Sequence, residues 1–303
     1  MKALIICFSQ TGNTRKIAER ISAGIAATGT QCDLKPLDEV DATLPADYDL
    51  VGLGAPVFYY QAPFHVRDFM AALPPQNGRH WFVFCTHGNV IGNFFPSVGS
   101  QLGARGAKVI GYYNSYADIT YPFYPRPSYT SGHPDADDLA RAERFGTLMV
   151  VESTRFRAQP DAPLPAPLPV SSDDWIKESH HITPERLAKM MPKLSLDADT
   201  CIQCRLCEEE CPVHGIDITS DPPRLQTPCI FCWRCVNICP TLSITADWRQ
   251  LVAMAPANYA RYKQELDKVT ARGEFRWLID PQMIVFDNPL FKQREREIKG
   301  LGK

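Results

Sequence analysis

The chain lacks any uninterrupted apolar stretch near the ~18 residues that cross a bilayer. Its opening run, 3–8, stops at Ser9 and Gly12 and is too short for a signal peptide. No membrane insertion is therefore expected, and the chain is read as cytoplasmic. Charge of one sign is also missing: the formal net charge is -2, with neither a basic arm nor an acidic tail, so no nucleic-acid partner is expected. There is no H-E-x-x-H, no Ser/His/Asp order and no recognisable nucleic-acid module, and no acid, base or nucleophile is assigned. Any chemistry must then be carried by bound groups.

Length and composition predict about two domains: 303 residues, 45% hydrophobic and 22% charged. Eleven cysteines are present, eight of them between Cys201 and Cys239. In a reducing compartment such crowding points to metal rather than disulfides. Cys7, Cys32 and Cys85 lie far upstream and are read as small, inert apolar residues. The proline-rich stretch 160–169 is an extended connector between two compositionally different halves. The expected division is 1–156, a linker with a helix over 157–193, a cysteine-rich domain over 194–248 and an extension over 249–303.

In the first half, strand-like runs at 3–8, 32–36, 50–54, 81–85 and 108–113 alternate with helical patterns. Ile17, Ile21 and Ile25 form one helix face after Gly12, and Gly29 is placed to end it. Val66, Phe69, Met70 and Leu73 repeat the stripe before Pro74 and Pro75, and a last helix resumes near Asp137. This alternation predicts five parallel strands covered on both faces.

Between the first strand and first helix stand Ser9, Gln10, Thr11, Gly12, Asn13 and Thr14. Hydroxyls around a glycine at a helix N-terminus suit a phosphate. Without a Walker lysine or a G-x-G-x-x-G, a monophosphate fits better than a nucleotide triphosphate or dinucleotide. The plainer use is that Ser9 or Thr11 caps the helix.

The S/T-x-T-G-x-T pattern resembles the phosphate loop of the flavodoxins, and the resemblance extends over the whole first half. It implies FMN, with its phosphate on Ser9 to Thr14. Two loops would then hold the flavin ring: Ala55, Pro56, Val57, Phe58, Tyr59 and Tyr60 after the third strand, and Thr86, His87, Gly88 and Asn89 after the fourth. The expected ring-stacking residue is Tyr59. His87 either donates to a flavin carbonyl or tunes proton uptake near neutral pH, or is an exposed turn histidine. Residues 112–129 hold six of the eleven tyrosines. So long an excursion needs a reason: a lid on the flavin, a docking surface, or a plug for a sheet edge.

The downstream half contains Cys201-x2-Cys204-x2-Cys207-x3-Cys211-Pro212, repeated as Cys229-x2-Cys232-x2-Cys235-x3-Cys239-Pro240. Three cysteines two residues apart close on one cluster, and the fourth, carried off before a proline, serves the neighbouring one. One [4Fe–4S] cluster then takes Cys201, Cys204, Cys207 and Cys239, and the other Cys229, Cys232, Cys235 and Cys211. Paired zinc knuckles have no use for the tripled run. The repeat resembles the bacterial two-cluster ferredoxin domain over about 194–246. Phe231, Trp233 and Arg234 inside the second run are read as cluster-shielding packing.

The expected fold is thus an α/β flavodoxin-like doubly wound five-stranded parallel sheet followed by an α+β bacterial two-cluster ferredoxin domain, similar to the fused flavodoxin and ferredoxin proteins of the EFR type. That architecture implies an electron carrier moving electrons between FMN and two [4Fe–4S] clusters, to or from a partner redox protein. The alternative is a flavodoxin-like oxidoreductase that oxidises NAD(P)H or reduces a small molecule such as a quinone at FMN. In the extension, Tyr259, Tyr262, Leu266 and Val269 share a helix face, 279–286 is a strand or an extended wrap, and the basic end 292–303 is a solvated terminus or a partner contact.

Overall fold

The computed structural model describes residues 1–167 and 173–286. The end of the proline-rich connector and the basic segment 292–303 lie outside the described residues. Two compact units emerge: Met1–Ala117 with Gly132–His180, and Asp118–Ser131 with the chain from His181 onward.

In the first unit the elements run β1 (Lys2–Cys7), α1 (Asn13–Ala26), β2 (Gln31–Pro36), β3 (Leu50–Pro56), α2 (Phe64–Ala72), β4 (His80–His87), α3 (Phe94–Ala104), β5 (Lys108–Tyr116), α4 (Ala136–Ala158) and α5 (Asp173–His180). The strands form one sheet in the order β2-β1-β3-β4-β5, and every pair is parallel. This is the doubly wound order in which ligands bind beyond the carboxyl ends of β1 and β3, where the strand order reverses.

Burial explains the strand sequences. All eight residues of β4, HWFVFCTH, are buried, as a central strand covered on both faces requires. The edge strand β2, QCDLKP, has no buried residue, which is why its apolar signal is weak. Helices α1 and α4 pack together over Ala3, Ile5, Cys7, Phe82 and Phe84, with Ile17, Ile21, Ala142, Phe145 and Met149 in the same core. The alternate residues Leu4, Ile6, Val51, Leu53 and Trp81 are equally buried and face the opposite side. There Phe95 of α3 meets Tyr112 of β5, ring centroids 5.4 Å apart. Helix α4 opens with a capping box between Asp135 and Asp138.

The second unit contains α6 (Pro184–Met190), β6 (Ser195–Leu196), α7 (Leu206–Glu209), α8 (Arg234–Ile238), β7 (Ile244–Thr245) and α9 (Arg249–Ala271). Strands β6 and β7 pair antiparallel. Asp118–Ser131, most of the tyrosine-rich excursion, belongs to this unit. Asp118 accepts hydrogen bonds from Arg126 at 2.7 Å and Ser131 at 3.0 Å, which folds the excursion on itself. Asn237 of α8, fully buried, donates from Nδ2 to the Thr120 carbonyl at 2.7 Å. Tyr124 and Tyr129 pack on Tyr259 of α9 at ring distances of 4.9 and 4.6 Å. The buried residues of α9 include Tyr259 and Leu266, on the face the sequence spacing predicts. After it, residues 279–286 form no strand; a 3-10 turn at Pro281–Met283 carries the chain. Among the described residues, no helix is long and apolar enough to cross a membrane.

Candidate functional site

At the carboxyl end of β1, Gly12 adopts a left-handed conformation, φ 90°, and leads directly into α1. A side chain there is strained, so glycine makes the abrupt turn possible. The helix has no side-chain cap and no acidic residue in its first turn, which leaves its positive end to attract an anion. Ser9 does not cap from the usual position. Its hydroxyl accepts from the Arg15 N–H at 3.2 Å. Ser9, Gln10, Thr11, Gly12 and Asn13 are half-buried, whereas Thr14 is buried, its hydroxyl 2.7 Å from that of Thr86. Thr14 therefore ties the first turn of α1 to the end of β4.

The loop after β3 is a tight hairpin. Phe58 and Gln61 exchange backbone hydrogen bonds of 2.9 and 3.0 Å, and Tyr59 and Tyr60 between them have φ of 49° and 66°. Two left-handed residues in succession match the mirror-image turn that fits strand twist, though glycine or asparagine is usual there. The loop is pinned on two sides: the Val57 N–H donates to the Thr86 carbonyl at 2.8 Å, and the Asn93 N–H to the Tyr60 carbonyl at 2.8 Å. Tyr60 also packs against Trp175 of α5, ring centroids 5.0 Å apart. Ala55 is buried, while Pro56, Val57, Phe58, Tyr59 and Tyr60 are half-buried.

His87, Gly88 and Asn89 follow at the end of β4. His87 is buried, not an exposed turn residue. Its Nε2 lies 3.1 Å from Asn114 Oδ1 and donates to it, while Nδ1 is buried without a hydrogen-bond partner. Burial, working against the Asn114 bond, pulls its pKa down to about 4. It is therefore neutral at pH 7 and takes up no proton there. Sequence reasoning missed His65, in the first turn of α2. Its ring stands edge-on to Phe8 at 4.3 Å, neither nitrogen has a partner, and burial pulls its pKa to about 4. Trp175 was also missed; nothing in its own sequence neighbourhood signals the approach to Tyr60. The glycine turn at the N-terminus of α1 and the unpartnered nitrogens of His65 fit a phosphate-bearing ligand with polar ring atoms.

In the second unit, Cys201, Cys204, Cys207 and Cys239 line one small cavity, with Ile202, Leu206, Ile218 and Ile244 among its walls. Burial, then the nearby Cys239, pushes the Cys207 thiol up to about 11. The other four form a second group. Burial pushes Cys229 up to about 11 and Cys232 up to about 12, and Cys211 adds to both shifts. Burial also pushes Cys235 up, with Cys232, Cys229 and Cys211 contributing after it. The eight residues thus fall into two groups of four, Cys201, Cys204, Cys207 and Cys239 in one and Cys211, Cys229, Cys232 and Cys235 in the other.

Backbone N–H groups point at the sulfurs: Gly215 at Cys211, Phe231 at Cys229 and Ser243 at Cys239, each 3.2 Å. Both runs wind alike, with Gln203 and Arg205 at φ 54° and 61° and Phe231 and Trp233 at φ 55° and 61°. Four thiols so close cannot all ionise unless cations stand among them. The donor set fits iron–sulfur clusters. Elsewhere, His133, Asp135 and Asp138 gather their ligand atoms within 4.8 Å of one another, but His133 and Asp138 bond to each other and Asp135 caps α4.

Comparison with known proteins gives two family matches, a flavodoxin domain over residues 4–90 and a 4Fe-4S dicluster domain over residues 193–240. An uncharacterized protein of Methanocaldococcus jannaschii is 26% identical over 149 residues, 48% of this chain and 95% of that protein. Archaeal glutamate synthase (NADPH) of Archaeoglobus fulgidus is 32% identical over 90 residues, 28% of this chain and 18% of that protein. Among solved structures, a flavodoxin from the domain Archaea is 20% identical with a TM-score of 0.41, covering 51% of this chain and 99% of that one.

Proposed function

From a chain that joins a flavodoxin domain to a 4Fe–4S dicluster domain, and so has an electron-transfer role, we propose a relay that moves electrons between FMN and two [4Fe–4S] clusters and exchanges them with a separate redox protein. When bound, FMN stores up to two electrons and each cluster passes one, so the pair converts between two-electron and one-electron chemistry.

The chain's own residues supply holding, orientation and exclusion of water. Gly12 and the N-terminus of α1 hold the phosphate, with Ser9, Gln10, Thr11 and Asn13 around it. The hairpin from Ala55 to Tyr60 and the turn from Thr86 to Asn89 hold the ring. His87, neutral and buried, keeps a fixed hydrogen-bonding pattern over the neutral pH range. Cys201, Cys204, Cys207 and Cys239 ligate one cluster, and Cys211, Cys229, Cys232 and Cys235 the other. Linking the two modules raises their mutual effective concentration, so exchange between them needs no diffusional encounter of separate proteins.

The observation that carries this reading is the crosswise gathering of the eight cysteines into two groups of four. Stepwise anaerobic reduction, followed by flavin absorbance and by cluster spectroscopy, tests it: both signals change in one chain, and oxidation by a protein acceptor reverses both. A second reading is direct oxidation of NAD(P)H at FMN, or reduction of a small molecule such as a quinone there. The short match to archaeal glutamate synthase (NADPH) makes NADPH the first donor to try. Flavin bleaching by NADPH alone favours the second reading; absence of bleaching favours the first.

A further inference from the structure

The two cysteine runs are equivalent in sequence and in winding, yet their intervening residues meet different surroundings. Ile202 is 64% exposed and its counterpart Ile230 is 4% exposed. Gln203 and Arg205 are exposed, whereas Phe231 and Trp233 in the same places are buried. The second run lies under an aromatic roof: Trp233 packs on Trp248 at 5.1 Å, and Trp248 on Phe123 at 6.0 Å. In the first run Cys204 itself is exposed. One exposed isoleucine is ordinary; an exposed isoleucine whose twin is buried beside an otherwise identical ligand set is not.

Charge decides what fits this face. Asp197, Asp199 and Glu209 are exposed and adjoin the run through the backbone, the Cys201 N–H donating to the Asp197 carbonyl and the Glu209 N–H to the Arg205 carbonyl, and Arg205 is paired with Glu208 at 2.6 Å. An apolar centre with an acidic rim matches a partner whose contact face is apolar with basic side chains around it.

Resting on the relay reading above, we propose that this module exchanges electrons with its protein partner through the first cysteine set, at a docking face centred on Ile202 and Cys204, and that the partner's face is basic. One electron crosses at a time. The site of the first set is oxidised as a one-electron centre on the partner is reduced, or the reverse, and no atom or proton changes place.

The test uses the full, anaerobically purified and reduced chain, with a basic c-type cytochrome as the protein acceptor and ferricyanide as a small acceptor. Asp199→Lys and Glu209→Lys alter exposed side chains that lie outside the walls of the cysteine cavity. Each is expected to slow cytochrome reduction about fivefold or more at low ionic strength, with iron content, flavin content and ferricyanide rate unchanged. Met254→Lys, on the exposed side of α9 (49% exposed), is expected to leave the cytochrome rate unchanged. Fully loaded variants that reduce the cytochrome at the parent rate, or a Met254→Lys effect as large as the others, overturn the docking face and leave the relay standing. A parent chain without iron overturns both.

Discussion

The hydroxyls of Thr14, in the first turn of α1, and Thr86, near the end of β4, lie 2.7 Å apart in a buried hydrogen bond. This contact joins the segment read as phosphate-binding to the segment read as ring-binding. Thr86→Val keeps the volume but leaves the Thr14 hydroxyl buried without its partner, at an expected cost of about 1–3 kcal/mol. The double variant Thr14→Val/Thr86→Val removes both polar groups and is expected to recover most of that loss. Denaturation of the flavin-loaded chain measures both; equal stability of the single variant and the parent counts against the coupling.

His87 makes stability depend on pH. Its folded value of about 4 lies below the usual 6.5. Between these values the unfolded chain binds a proton that the folded chain does not. Stability is therefore full above about pH 6.5 and declines as pH falls toward about 4, by up to about 3 kcal/mol for this group. His87→Gln is expected to lose less thermal stability than the parent between about pH 7 and about pH 5. Parallel curves for the two proteins contradict the assignment.

Much of this arrangement is legible in the sequence where one local pattern decides the structure. Ile17, Ile21 and Ile25 mark α1, the unbroken apolar run marks β4, and the doubled cysteine spacing marks two groups of four cysteines. Helix α3 is not marked as clearly, because Pro96, Gly99 and Gly103 interrupt it; it forms through packing, as between Phe95 and Tyr112. Contacts between residues distant in the chain leave no local trace. Trp175 against Tyr60 and Asn237 against Thr120 are of this kind. So is His87: its sequence shows a titratable ring after a strand, but only the fold shows that burial keeps it neutral.

Gly215 holds a tight place in the second cysteine group. Its N–H points at Cys211 Sγ at 3.2 Å, and a Cβ on it would overlap the Pro228 carbonyl oxygen. Gly215→Ala forces Pro228 and the adjacent Cys229 apart from Cys211. Iron content is expected to fall toward about half, since one of two four-iron groups is disturbed, with flavin content retained. Full iron loading of Gly215→Ala contradicts the packing argument.

Substituting Cys232, whose thiol burial pushes up to about 12, separates the modules chemically. Cys232→Ser is expected to remove or unsettle one cluster, lowering iron and sulfide toward about half, while flavin content stays near that of the parent. Iron, sulfide and flavin assays on one anaerobic preparation check this. Loss of flavin together with iron indicates that the two units depend on each other for folding.

The central claim is that one polypeptide carries both kinds of electron carrier. Quantitation of FMN, iron and acid-labile sulfide in oxygen-free material tests it most directly. The account predicts about one FMN and about eight iron and eight sulfide per chain. Material that is correctly folded and binds neither FMN nor iron contradicts it.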